Sequence, residues 1–125
     1  MAQAAQKRIE AEFAKRDQEL KDIAARVQKM QDALQREGVT LSEADRRNRE
    51  REIGEATRDF QRKQQELRED FERRRKEEFN SIVQRADAAV KKIAEADKLD
   101  MVFQPTIYSS PRIDITDRVI KMMAQ

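Results

Sequence analysis

Apolar residues near the start of the chain recur at alternating intervals of three and four. They occupy two heptad positions and comprise Ile9, Phe13, Leu20, Ile23, Val27, Met30 and Leu34. Only Arg16 interrupts this stripe, and charged residues flank it on the other faces. A narrow stripe of this kind is typical of a helix that packs along a single partner helix. The pattern therefore predicts a long first helix that ends near Glu37.

The one strong turn signal before residue 98 lies just after this helix. Gly38 is placed to supply a left-handed C-cap, and Ser42 followed by Asp45 matches an N-cap with its capping-box acid. A second helix is then predicted from about Ser42 to about Asp97. At 1.5 Å per residue, that helix is on the order of 80 Å long.

The short connection predicts that the two helices fold back on each other as an antiparallel hairpin with its tip near residues 38–42. The stripe of the first helix would then face Ile53, Ala56, Phe60 and Leu67. The second helix is longer, so its later apolar residues have no counterpart on the first helix. An uncovered apolar stripe indicates an interface, either with the C-terminal segment or with further copies of the chain.

After Lys98 the composition changes. Residues 99–103 (Leu-Asp-Met-Val-Phe) and 106–108 (Thr-Ile-Tyr) predict two short strands. A final helix is predicted from Arg118 to Met123, with Thr116 or Asp114 as its N-cap. Two strands alone are only marginally stable, so the sheet should be completed from elsewhere. The fold class is therefore mainly α (α+β), with a helical hairpin over residues 1–78. Residues 79–125 form the root of the long helix and a small β-containing body.

Composition narrows the possible functions. Of the 125 residues, 42% are charged, the mean hydropathy is −1.01, and acidic and basic residues are interleaved with a net charge of +2. Disorder is a rival reading of such a chain, but interleaved charges on good helix formers favour solvated helices. The chain has no Cys and no His, which removes thiol nucleophiles, thiolate or imidazole metal sites, and the side chain most used for general acid–base catalysis near neutral pH. No enzyme activity, metal or cofactor is expected.

The same composition argues against a membrane-spanning segment and against nucleic-acid binding. No stretch approaches the roughly 20 apolar residues that span a bilayer, and the N-terminal residues lack the apolar core of a signal peptide. A net charge of +2 does not by itself indicate nucleic-acid binding. Among the arginines of residues 46–51, Arg47 and Arg49 each have an acid four residues earlier, Glu43 and Asp45, and no aromatic residue is interleaved with them. We therefore expect no membrane span and no nucleic-acid partner.

Two C-terminal motifs resemble the Skp/OmpH family of periplasmic chaperones. They are the tyrosine-serine turn at residues 107–111 (Ile-Tyr-Ser-Ser-Pro) and the helix start at residues 114–120 (Asp-Ile-Thr-Asp-Arg-Val-Ile). The resemblance covers essentially the whole chain. It implies a jellyfish-like homotrimer with a β-rich body and hairpin tentacles that enclose unfolded outer-membrane proteins in the periplasm without nucleotide.

The N-terminus departs from the family pattern. Family members usually carry a signal peptide and a first strand before the hairpin, whereas here Met1 leads almost directly into helix-forming sequence. The expectation is a truncated chain that lacks one strand of the body.

The resemblance also implies candidate site residues. A lipopolysaccharide-binding basic cluster of the family would include Lys63, Arg73 and Arg74 here, although the residue type departs near Arg85. The alternative is a solvated helix face, because acids lie four residues from the arginines. Residues that could face a client or simply pack the helical seam are Phe13, Met30, Phe60 and Phe71. The expected oligomer interface comprises Phe79, Ile82, Val83, Val90, Ile93, Val102 and Ile107.

The leading functional hypothesis is an ATP-independent holdase that keeps unfolded outer-membrane proteins from aggregating. The main alternative is a structural coiled-coil adaptor that binds one folded partner. A binder of nucleic acid or lipid surfaces would need a steep salt dependence that the nearly neutral composition does not favour.

Overall fold

The structure is a computed structural model that describes residues 2–104 and 107–125. These residues contain three helices, α1 (Ala2–Glu37), α2 (Glu43–Asp97) and α3 (Thr116–Ala124). The chain divides into two compact units. One consists of residues 4–75, and the other of residues 76–125 with the first residues of α1. The two long helices confirm what the apolar spacing predicts.

Within residues 4–75, which we call the arm, α1 and the first part of α2 pack antiparallel. Phe13 near the start of α1 contacts Phe71 late in the arm. At the other end, Arg49 near the start of α2 is 3.0 Å from Glu37 at the end of α1. The start of α1 therefore contacts the part of α2 at the end of the arm, and the end of α1 contacts the start of α2. This arrangement confirms the predicted antiparallel hairpin.

The turn between the helices uses its glycine differently from the prediction. Gly38 does not have a positive φ, so it is not a left-handed C-cap. Its N–H donates to the Leu34 carbonyl at 2.7 Å, and a Cβ atom on Gly38 would lie only 2.6 Å from that same oxygen. Glycine is needed here because the backbone comes too close for a side chain. The predicted N-cap is confirmed, since Ser42 Oγ accepts a hydrogen bond from the Asp45 N–H at 3.1 Å.

The C-terminus of α2 carries the left-handed residue that was expected at Gly38. Lys98 has a φ of 55°. The Leu99 N–H donates to the Ala94 carbonyl at 2.8 Å and the Lys98 N–H to the Glu95 carbonyl at 3.4 Å, which is the Schellman pattern. A lysine in this conformation costs roughly 1 kcal/mol relative to glycine. No glycine occurs at this helix end, so no residue type in the sequence indicated a left-handed conformation at Lys98.

The predicted strands are not formed. Residues 99–104 and the described part of the second predicted strand, Ile107 and Tyr108, have no strand structure. Pro105 and Thr106 lie outside the described residues. The physical reason is that a short strand needs a hydrogen-bonding partner, and two such segments in one chain are too little to form a stable sheet. The β-containing body predicted from the sequence is therefore absent from the described residues of the single chain.

The final helix begins two residues earlier than predicted, at Thr116. Asp114 Oδ1 accepts a hydrogen bond from the Thr116 N–H at 2.9 Å and another from the Thr116 hydroxyl. Arg118 donates to both carboxylate oxygens of Asp97, from Nη1 to Oδ2 and from Nη2 to Oδ1, and the second contact measures 3.2 Å. Arg85 donates to the backbone carbonyl of Met123. These contacts hold α3 against the last turns of α2.

Candidate functional site

An aromatic pair, Phe13 and Phe71, packs across the arm's seam at the end of the arm away from the turn. The rings of Phe13 and Phe71 lie edge to face, with centroids 5.6 Å apart at 76°. The Arg16 guanidinium lies 5.4 Å from the Phe13 centroid, within the range of a cation–π contact. Both rings are only half-buried, because a two-helix arm has no third element to cover them. The two rings thus contact each other between α1 and α2.

The same pair borders open apolar surface. A groove of about 470 Å³ lies beside the two rings and is lined on its apolar side by Ala14, Leu20 and Leu67. Phe60 and Met30 are likewise half-buried. Seam residues that stay partly accessible can also contact another chain, so both roles expected for this set remain compatible. Contact with a client stays a prediction.

Charged groups flank the aromatic pair and tie the two helices together. Arg16 Nη1 lies 2.8 Å from Asp70 Oδ2, and Arg73 Nη2 lies 2.7 Å from the other carboxylate oxygen. The hydrogen bond from Arg16, with lesser help from Arg73, lowers the pKa of Asp70. Arg16, the one charged residue within the apolar stripe, therefore extends across the seam and pairs with an acid on α2.

A second ion pair crosses the seam one turn away. Arg74 Nε and Nη2 each lie 2.9 Å from a carboxylate oxygen of Glu12, which makes a two-pronged contact. This hydrogen bonding lowers the pKa of Glu12. Sequence reasoning missed both cross-helix pairs. The one available signal was the cation inside the apolar stripe, because an interior cation at a seam position needs an acid opposite it.

The basic residues of the expected anion-binding cluster all have acidic partners. Lys63 Nζ lies 3.6 Å from Asp59 Oδ2, and Arg73 and Arg74 make the contacts to Asp70 and Glu12 just given. Two of these pairs lie within α2, as expected for a solvated helix face, and the third joins the helices. An anion binding here would compete with these carboxylates. The assignment of lipopolysaccharide to this cluster stays a prediction.

The residues expected at an oligomer interface differ widely in exposure. Ile93 is 1% exposed and is the most buried large side chain among the described residues. Ile82 and Val90 are half-buried. The other members of the set are exposed, namely Phe79 at 65%, Val83 and Val102 at 40%, and Ile107 at 98%. Ile93 is thus covered within its own chain, while the exposed residues remain available to a partner.

The lowered carboxyl pKa values predict how the arm responds to acid. A carboxyl whose pKa is lower in the folded chain stabilises it fully above the unfolded-state pKa, and this contribution is lost as the pH falls through the folded-state pKa. For Asp70 and Glu12 the melting temperature should therefore be flat near neutrality and drop below about pH 4. Circular-dichroism melts across the pH range measure this.

The control for the acid response is the double variant Asp70→Asn with Glu12→Gln. It should melt lower than the unaltered chain at neutral pH and lose less on acidification, because the groups that take up the protons are gone. An acid response of unchanged size in this variant would contradict the assignment.

The described residues contain neither a candidate membrane span nor a candidate metal-binding cluster. No helix there has an apolar stretch long enough to cross a bilayer. Among residues 2–104 and 107–125, no three acidic, Cys or His side chains lie close enough together to hold a metal ion.

Comparison with known proteins places the chain in a family. The OmpH-like outer membrane protein family matches residues 1–123. The chain is 32% identical over 119 residues to the chaperone protein Skp of Yersinia enterocolitica, covering 94% of this chain and 73% of that protein. It is 32% identical over 123 residues to the chaperone protein Skp of Photorhabdus luminescens, covering 97% and 74%. A Skp-like protein of Pseudomonas aeruginosa is 29% identical, covering 93% and 70%. The chain belongs to the family of OmpH-like outer membrane proteins.

Proposed function

We propose that this protein is an ATP-independent holdase chaperone that binds unfolded outer-membrane proteins in the periplasm and keeps them from aggregating. The observation that carries the proposal is the open seam of the arm, where the half-buried rings of Phe13 and Phe71 border an accessible groove of about 470 Å³. Relatives that share about a third of its residues are named as chaperones. Their name and the family resemblance support the periplasmic assignment.

The physical basis of holding is weak binding at many places. Partly exposed apolar side chains between charged helix faces give contacts of low specificity, and several such contacts on one client add up through effective concentration. The charged faces keep the arm itself soluble while it presents apolar surface. No bond is made or broken in this activity, so the protein acts by binding and not as an enzyme.

We also propose that the chain works as a homotrimer. Residues 99–113 leave several large apolar side chains exposed in the single chain, among them Met101 at 70%, Phe103 at 73% and Tyr108 at 84%. Exposed apolar surface of this extent normally marks an interface. Copies of the chain could pair these segments as strands and so supply the partners that a single chain lacks.

The test of the holdase is light scattering during dilution of an unfolded porin from denaturant. At one trimer per porin, the protein should suppress most of the scattering without nucleotide. Unchanged scattering would overturn the proposal. Suppression for one client only, with no effect on unrelated unfolded membrane proteins, would favour the adaptor, because a holder of low specificity should act on all of them.

A further inference from the structure

A second groove in the arm lies toward the turn between the helices. It has a volume of about 260 Å³ and is lined by the apolar side chains of Met30, Ala33 and Ile53. All three are half-buried, so their remaining surface faces the groove or solvent. Ala33 contributes only a methyl group to this lining. The groove can accept a large apolar side chain.

More cations than acids line this groove. Three cations, Arg26, Lys29 and Arg49, line it together with one acid, Glu52. Arg49 is held by Glu37 at 3.0 Å. Within residues 2–104 and 107–125, neither Arg26 nor Lys29 has an ion-pair partner. The two lie three residues apart on α1 and therefore point to the same side of the helix.

These two cations differ in kind from the basic cluster farther along the arm. Lys63, Arg73 and Arg74 each contact a carboxylate of the chain itself. A ligand anion at that cluster must compete with those carboxylates, whereas an anion at Arg26 and Lys29 would break no ion pair of the described residues. The groove thus combines an apolar wall with two cations that form no ion pair within the described residues and that outnumber its one acid, Glu52.

We propose that this groove binds segments of unfolded polypeptide in which a large apolar side chain is followed closely by an acidic one. The apolar side chain lies against Met30 and Ile53, and the carboxylate lies between Arg26 and Lys29. The inference rests on the proposed function and deepens it, because it assigns one subsite and the sequence chemistry that the subsite selects. Charge complementarity identifies the occupant, since a segment with a basic neighbour would meet like charge.

The expected affinity is low. Exposed ion pairs contribute little individually, so removing both cations should weaken binding about fivefold rather than abolish it. A weak contact of this kind suits a holder that must release its client. It also predicts that binding weakens as salt is added, because both cations are exposed.

The test uses a short fluorescein-labelled peptide with alternating phenylalanine and aspartate in a glycine-serine background, titrated with the chain of 125 residues and followed by fluorescence anisotropy. The groove variant is Arg26→Gln with Lys29→Gln. The matched control is Lys7→Gln with Lys15→Gln, which removes the same charge from exposed positions on the same helix outside the groove. The groove variant should bind about fivefold more weakly, and the control should bind like the unaltered chain.

A second peptide, with asparagine in place of aspartate, separates charge from apolar contact. It should bind the unaltered chain and the groove variant alike. Equal weakening of the aspartate peptide by both variants, or by neither, would overturn the proposal. So would loss of binding to anionic phospholipid vesicles in the groove variant with unchanged peptide binding, because the cations would then serve a lipid surface.

The two proposals fail separately. If the protein does not suppress porin aggregation yet binds the peptide with the stated charge dependence, the holdase is contradicted and the groove is supported. If it suppresses aggregation and the groove variant binds the peptide unchanged, the holdase is supported and the groove is overturned.

Discussion

Replacement of Ile93 by alanine should lower the free energy of unfolding by about 3 kcal/mol, because it removes a fully buried side chain and leaves a cavity. Ile93 is 1% exposed and lies in the unit whose other buried residues are Ala89 and Met123. Urea titration followed by circular dichroism measures the change.

The control for Ile93 is Val39→Ala in the turn between the helices. Val39 is 93% exposed, so its truncation should leave the free energy of unfolding within about 0.5 kcal/mol of the unaltered chain. A loss of less than about 1 kcal/mol for Ile93→Ala would show that this position is not part of a packed core.

Replacement of Phe71 by alanine should destabilise the arm by about 2 kcal/mol. The variant removes the edge-to-face contact with Phe13 and half-buried apolar area, and the cost is smaller than for a fully buried ring because Phe71 is partly solvated already. Amide hydrogen exchange should show faster exchange in α1 around Phe13. Thermal melts give the overall loss.

Phe79→Ala is the matched control, because it makes the same change eight residues later on the same helix. Phe79 is 65% exposed in the single chain, so truncation should cost little if nothing else covers it. A loss that grows with protein concentration, together with a lower mass by light scattering, would show that another copy covers Phe79. Equal, concentration-independent losses for both variants would contradict the special role of the Phe13–Phe71 pair.

The helices and their antiparallel pairing were predictable because their signals are local and repeated. The seven-residue stripe from Ile9 to Leu34 recurs over several turns, so a single exception at Arg16 does not obscure it. The Ser42 cap was also predictable, since a cap depends on residues within one turn of each other. Periodicity and capping therefore gave both long helices and the fold of the arm.

Features that depend on distant residues or on exact backbone geometry could not be predicted. The contacts of Arg16 with Asp70 and of Arg74 with Glu12 join residues more than fifty positions apart, and many acids were equally plausible partners. Gly38 correctly indicated a turn, but the predicted positive φ was wrong. The glycine is needed because the Leu34 carbonyl lies close to it, and a close carbonyl and a positive φ both select glycine. At Lys98 the left-handed conformation occurs without any residue that favours it.

The strands predicted after Lys98 are absent from the described residues of the single chain for a different reason. Residues 99–103 have the β-branched and aromatic character of a strand, but strand structure is a property of a pair and not of one segment. The groove beside Arg26 and Lys29 was likewise hidden, because it depends on which cations remain without a partner once the helices have packed.

The exposed segment after α2 makes the chain resemble what it is proposed to bind. Around Phe103 and Tyr108 it combines large exposed apolar side chains with backbone that forms no strand in its described residues. That combination is what makes an unfolded β-protein prone to aggregate. In the proposed homotrimer this segment is paired between copies, so assembly of the trimer and capture of a client would compete for the same kind of contact.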